Sequence, residues 1–244
     1  CTDQQRWDTI GALGNKYVHT PNLDRLVNEG VSFTNAHCTS PICTSSRSSF
    51  LTGYYPMTVR GCKNGAAEWA EAKPLITKTL KDGGYDCGLS GKLHLSTAMA
   101  HRPEKRPKDD GYRVYHYSHS PYQTGSANDY IMWGKAQGVD IIDLKSKLGY
   151  VPSEYHQTKW CTDMAIDFIS EKREWPWLFS WNVFDPHGPF DPPKEYLDRY
   201  DIDNLPLPLF RDSDLEQKSI FNDKIYYPGK PKRYSDRQIK IDTS

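Results

Sequence analysis

At 244 residues the chain is long enough for one large domain or two small ones with a real core, so size excludes no enzyme class. Its 31 basic and 31 acidic residues cancel, which excludes a field drawing the whole molecule to nucleic acid or to an anionic membrane; any anion site must be local. No run approaches the roughly 18 apolar residues of a membrane span, and 13% aromatic beside 37% hydrophobic residues points to much loop surface with aromatic-lined clefts.

Cys1, Thr2 and Asp3 read like the end of a strand whose beginning precedes the chain, and no signal-like segment opens it. Thr20, Pro21 and Asn22 then start a helix as cap and first-turn proline, Leu23, Leu26 and Val27 give it an apolar stripe, and Gly30 ends it. Val31 and Phe33 alternate with Ser32 and Thr34 as in a strand. A second helix is expected from about Ser45 to Thr52, closed by Gly53.

Leu75, Ile76, Thr79 and Leu80 follow Pro74 as a third helix, stopped by Gly83 and Gly84, and Tyr85 to Ser90 follows as a short strand running into "GKLHL". From 96 to about 152 the pattern dissolves into a polar, Tyr- and His-rich stretch, read as a long solvated insertion that could shape a substrate pocket. Cys161, Met164, Ala165, Phe168 and Ile169 restore helical spacing and are expected in the core. Pro176 breaks that helix, and Trp177 to Phe184 is apolar enough for a strand of a sheet covered on both faces. "DPHGPFDPP" follows at its carboxyl end, and beyond 204 the chain turns to a charged tail for which no structure is expected.

Helices alternating with strands make an α/β fold, and in open α/β sheets ligands bind beyond the carboxyl ends of the strands. Four clusters fall at such ends: Asp3 with Gln4, Cys43 with Arg47, Lys92 with His94, and His187. Asp3 is equally well read as a loop cap or as a ligand to a hard cation, for which Gln4 and Gln5 would add carbonyl oxygens. Lys92 and His94 are two apart and share a face of an extended chain; taken alone they read as an exposed lysine and a satisfied histidine. The prolines around His187 could merely shape a turn, or could aim its imidazole into a cleft.

Six cysteines without CxxC or CxxH spacing give a zinc site little support, and their even number permits disulfides without demanding them. Cys43 stands apart, since a free cysteine normally packs as a small hydrophobe and this one lies among Thr44, Ser45, Ser46, Ser48 and Ser49. A helix start offers free amides and a positive dipole end, and Arg47 one turn on adds a fork of donors matched to a tetrahedral oxyanion. The cluster suits sulfate or phosphate beside a reactive position.

"TDQQRWDTIG", "HTPNLDRLVNEGVSFTNAHCTSPICTSSRSSFLTG", "GKLHL" and "DPHGPFDPP" occur in that order. Together they resemble a type I sulfatase of the alkaline phosphatase superfamily, over most of residues 1–200 outside the insertion. The resemblance implies a mixed, mostly parallel central sheet flanked by helices. It places 1–204 as the amino-terminal part of the catalytic domain, with the loop-rich insertion at about 96–152, and 205–244 as a polar tail or a connection to a carboxyl-terminal part. It also implies hydrolysis of a sulfate ester, a sulfated carbohydrate being one candidate, through a formylglycine hydrate made from Cys43 by a formylglycine-generating or anaerobic sulfatase-maturing enzyme.

The same resemblance implies a divalent cation, Ca2+ or alternatively Mg2+ or Mn2+, held by Asp3, Gln4 and the Cys43-derived group. Arg47 and Lys92 would steady the hydrate and balance charge, His94 would orient it or take its proton, and His187 would bind sulfate or assist the leaving oxygen. Periplasmic or secreted location is the family habit, with the cytoplasm as the alternative. Two departures stand out. Ser45 occupies the proline place of the Cys-x-Pro-x-Arg signature, and the Asp with Asn or His, and the further Lys, that complete the family's site have no copy after residue 204. The alternatives are a phosphonate or phosphate ester hydrolase of the same superfamily, some of which share the "DQQR" start, and a non-catalytic sulfate- or glycan-binding relative.

Overall fold

A computed structural model describes residues 1–66, 68–70, 73–99, 102–124 and 126–207, with 211, 213, 214 and 217 beyond them. It divides into two compact units, one of residues 1–187 and one beginning at 188. The first carries helices α1 (Pro21–Glu29), α2 (Cys43–Thr52), α3 (Ile76–Asp82), α4 (Asp129–Ala136), α5 (Ile141–Leu148) and α6 (Gln157–Ser170), with strands β1 (Asp86–Gly91), β2 (Val114–Tyr117) and β3 (Trp177–Asn182). In the second unit the described elements are the short helix α7 (Lys194–Leu197) and a 3-10 turn at Ile202–Asn204.

The fold is α/β. The three strands form one sheet in the order β2-β1-β3, parallel throughout, with Leu89 beside Tyr115 on one flank and Ser180 on the other. Period-2 geometry sends the residues of β1 alternately to the two faces. Cys87 and Leu89 join a core with Leu51, Val59, Leu75 and Leu93, next to α3. Gly88 and Ser90 face α6: a Cβ on Gly88 would lie 2.6 Å from Phe179 and 2.8 Å from Phe168, and the Ser90 hydroxyl donates to the Cys161 carbonyl at 2.8 Å. A second core gathers Tyr130, Ile131, Ile141, Val151, Trp160, Cys161 and Val183.

Several expectations change. The stretch from 96 to 152 is no solvated loop from 114 onward, because β2, α4 and α5 lie there and supply Tyr117, Tyr130, Ile131 and Ile141 to the cores. Its strand is four residues long and its helices eight each, too short for a sustained period, so periodicity was weak there. No strand forms at 31–34: Val31 and Phe33 are 81% and 78% exposed and find no ladder partner among the described residues, without which an extended segment leaves its backbone groups to water. Trp177 and Trp181 of β3 are exposed, so among the described residues this strand is not covered on both faces. Ile169 at the end of α6 is also exposed, whereas Cys161 and Phe168 are buried. The tail beyond 207 lies almost wholly outside the described residues.

α1 spans the predicted helix, but its apolar stripe covers no buried residue. All six cysteines are free, so no disulfide braces the fold. No described helix is long and apolar enough to cross a membrane.

Candidate functional site

The site assembles where β1 and β3 end. Gly91 closes β1 with φ +98, and a Cβ there would lie 2.0 Å from the Asn182 carbonyl oxygen, so only glycine lets the chain turn this close to β3. Asn182 then ties the turn by accepting from the Lys92 amide at 3.0 Å and donating its side-chain amide to the Lys92 carbonyl at 3.0 Å. The first residues of the chain run alongside: the Val183 amide donates to the Cys1 carbonyl and the Asp3 amide to the Asp185 carbonyl. This pairing sets Asp3 beside the carboxyl ends of two strands.

α2 supplies the cysteine and the arginine. It begins at Cys43, two residues before the sequence expectation, because the Ile42 carbonyl already accepts from Ser46 and the Asn64 side chain accepts from the Thr44 amide at 3.0 Å. The helix is buried through its hydroxyl residues and Arg47. Gly53 ends it in the left-handed region, as expected. One turn into the helix, Arg47 donates to the Lys92 carbonyl at 2.7 Å and stands 3.7 Å from the Asp3 carboxylate. Lys92, 1% exposed, places its ammonium 2.5 Å from the same Asp3 oxygen.

Asp3, Cys43 and His187 each offer one ligand atom, and these lie within 4.8 Å of one another. A hydrogen bond with His187 is the largest influence on the Cys43 thiol and pulls its pKa down, helped by Lys92 and opposed by burial and by Asp3. Burial pushes the Arg47 guanidinium down while Asp3 raises it. His94, 7% exposed, adopts φ +57, and burial with the nearby Lys92 and Arg47 charges pushes its pKa down to about 3. A neutral imidazole there accepts a hydrogen bond without adding charge. Gln4 is exposed, with its backbone at φ +63.

The structure thus gathers Asp3, Cys43, Arg47, Lys92, His94 and His187, and leaves Gln4 exposed. For a cation, Asp3 contributes the carboxylate of the converging group, while a hard cation seeks six to eight oxygens. These residues fit as part of a coordination shell. The hydroxyls of Thr44 and of Ser45, which stands at the proline place of the signature, are buried and have no hydrogen-bond partner among the described residues.

Sequence reading missed His119 and Glu104. The His119 ring meets His94 edge-on with centroids 4.2 Å apart, and the Glu104 carboxylate accepts from the amides of His94, Leu95 and Ser96. The alternation of "VYHY" in β2 was the one signal that could have placed His119 at a strand end.

The chain matches the Sulfatase family model over residues 1–208. It is 31% identical over 236 residues to an arylsulfatase of Clostridium perfringens, a match spanning 86% of this chain and 47% of that protein. To the N-acetylgalactosamine-6-sulfatase of Homo sapiens it is 28% identical, across 80% of this chain and 40% of that one. The phosphonate monoester hydrolase of Agrobacterium radiobacter shares the fold with a TM-score of 0.73 at 20% identity, covering 99% of this chain and 53% of that one. The chain therefore spans less than half the length of these curated relatives.

Proposed function

The chain belongs to the sulfatase family, and on that footing we propose that it carries the nucleophile-bearing part of an enzyme that hydrolyses sulfate esters. The observation that carries the reading is the convergence of Asp3, Cys43 and His187 within 4.8 Å, with Lys92 and Arg47 both directed at Asp3. Cys43 is the residue converted to formylglycine by a maturing enzyme. One hydroxyl of the hydrated aldehyde attacks sulfur, the S–O bond to the alcohol breaks, and the second hydroxyl loses its proton as the aldehyde re-forms and sulfate leaves.

The chain's own groups divide this work. Arg47 and Lys92 hold positive charge, buried and at fixed positions, beside the reacting oxygens, where a preorganised charge in a dry site does most. His94, kept neutral, orients the hydrate or receives its proton, and His187, which already engages Cys43, protonates the leaving oxygen or holds the sulfate. Asp3, with Gln4 and the group at 43, would hold a divalent cation, which supplies Lewis acidity and a template when bound; Ca2+ is the cation we propose, with Mg2+ or Mn2+ as alternatives.

A carbohydrate sulfate is the substrate class that the name of the human relative favours. Gln4, in the "DQQR" start, favours a second reading, a phosphonate or phosphate monoester hydrolase. Assay of the intact protein on 4-nitrophenyl sulfate, 4-nitrophenyl phosphate and a phosphonate monoester, each with and without chelator, tests the choice. Chelator-sensitive turnover of the sulfate ester above the other two supports the proposal. Preference for phosphonate overturns it, and binding of sulfated glycan without turnover would mark a non-catalytic relative.

A further inference from the structure

We propose that Glu104 and His119, both supplied by the stretch between β1 and α4, clamp His94 and thereby set its place in the reaction, the carboxylate fixing its main chain and the imidazole its ring. The proposal rests on the sulfate-ester reading above. It begins from the backbone of His94, which at φ +57 sits in a region that a residue with a Cβ seldom enters unless its surroundings impose it.

The imposition is visible. One Glu104 oxygen accepts the His94 amide at 2.8 Å, and the other accepts the amides of Leu95 and Ser96 at 2.5 and 3.2 Å. Three successive amides on one carboxylate hold the chain in a tight bend as it leaves β1, with Leu93 and Leu95 buried beneath it. The bend turns Lys92 to Asp3 and leaves the His94 ring beside His119.

His119 is anchored in its turn. The Ser118 amide donates to the Gly91 carbonyl at 3.0 Å, which continues the β1–β2 ladder one step past the strands. The Ser118 hydroxyl accepts from the buried Gln157 side chain at 2.6 Å. His119 therefore stands at a fixed height above β1 and meets His94 edge-on, planes 76° apart. Such contact fixes the orientation of a ring whose own Nδ1 has no hydrogen-bond partner among the described residues. Misplacing a reacting group by about 1 Å can cost about a hundredfold in rate, so residues that touch neither nucleophile nor sulfate can still control turnover.

The test uses the intact protein with Glu104→Gln, which keeps shape and folding but turns one acceptor oxygen into a donor facing an amide, and with His119→Ala and His119→Phe. Hydrogen exchange at 94–96 reads the clamp whether or not the protein turns over; kcat and KM on 4-nitrophenyl sulfate read its consequence. The expected result is slow exchange in the wild type, fast exchange in Glu104→Gln, and a kcat about 10- to 100-fold lower with KM little changed. His119→Ala lowers kcat likewise, and His119→Phe, which restores an aromatic edge, recovers part of it. Fast exchange in Glu104→Gln with wild-type kcat, or equal loss in both His119 variants, overturns the proposal. An inactive wild type with slow exchange at 94–96 would instead sink the sulfate-ester reading while leaving the clamp standing.

Discussion

The ammonium of Lys92 lies 2.5 Å from Oδ2 of Asp3, and both side chains are buried, at 1% and 8% exposure. This pair joins residues 89 positions apart and brings the start of the chain to the end of β1. Removing one partner leaves the other charge buried. Lys92→Met should therefore destabilise the protein by about 3–5 kcal/mol, and the double variant Asp3→Asn with Lys92→Met by less than the sum of the two single changes. Urea unfolding of the four proteins measures it; additive losses would mean that the two groups do not interact.

Gly91 is the structural hinge of the same turn. A Cβ at 2.0 Å from the Asn182 carbonyl, on a backbone at φ +98, cannot be accommodated without moving β1 from β3. Gly91→Ala should cost about 2–4 kcal/mol, read as a lower urea midpoint with unchanged slope.

The depressed pKa of His94 sets a pH dependence. The folded state binds its proton only near pH 3, whereas the unfolded chain binds it near 6.5, so the stability this site contributes is complete above 6.5 and is lost as pH falls toward 3. His119, pushed down by burial and by its neighbour His94, acts in the same direction, and Glu104, raised by burial, acts in the opposite one. Between pH 6 and 4 each histidine should contribute a slope of about 1.4 kcal/mol per pH unit. Subtracting the unfolding free energy of His94→Gln from that of the wild type across this range isolates the term; a flat difference would contradict the burial of His94.

Asp3 should also govern cation affinity. Asp3→Asn is expected to weaken Ca2+ binding by at least tenfold, by calorimetry on the intact protein, since it removes the carboxylate of the converging cluster. An unchanged affinity would move the cation elsewhere.

Much of the site was legible because its signals were local. Pro21, Gly30, Gly53 and Gly83 punctuate helices through backbone rules that need no neighbours, and α1, α2 and α3 lie within two residues of where those rules put them. The clustering of Asp3, Cys43, Arg47, Lys92 and His187 followed from strand ends and motif order. Glu104 and His119 were not legible. A carboxylate that accepts three amides eight to ten residues upstream leaves no periodic trace, and β2 is only four residues long inside a polar stretch. Val31 and Phe33 show the converse, since alternation alone makes no strand where no partner strand pairs with it.

Peptide mass spectrometry of the segment containing Cys43, taken from protein that turns over 4-nitrophenyl sulfate, decides whether Cys43 is a nucleophile precursor. The expected result is the aldehyde mass at position 43, with Ser45 in the proline place of the signature tolerated by the maturing enzyme. An unmodified thiol at 43 in active material would contradict it.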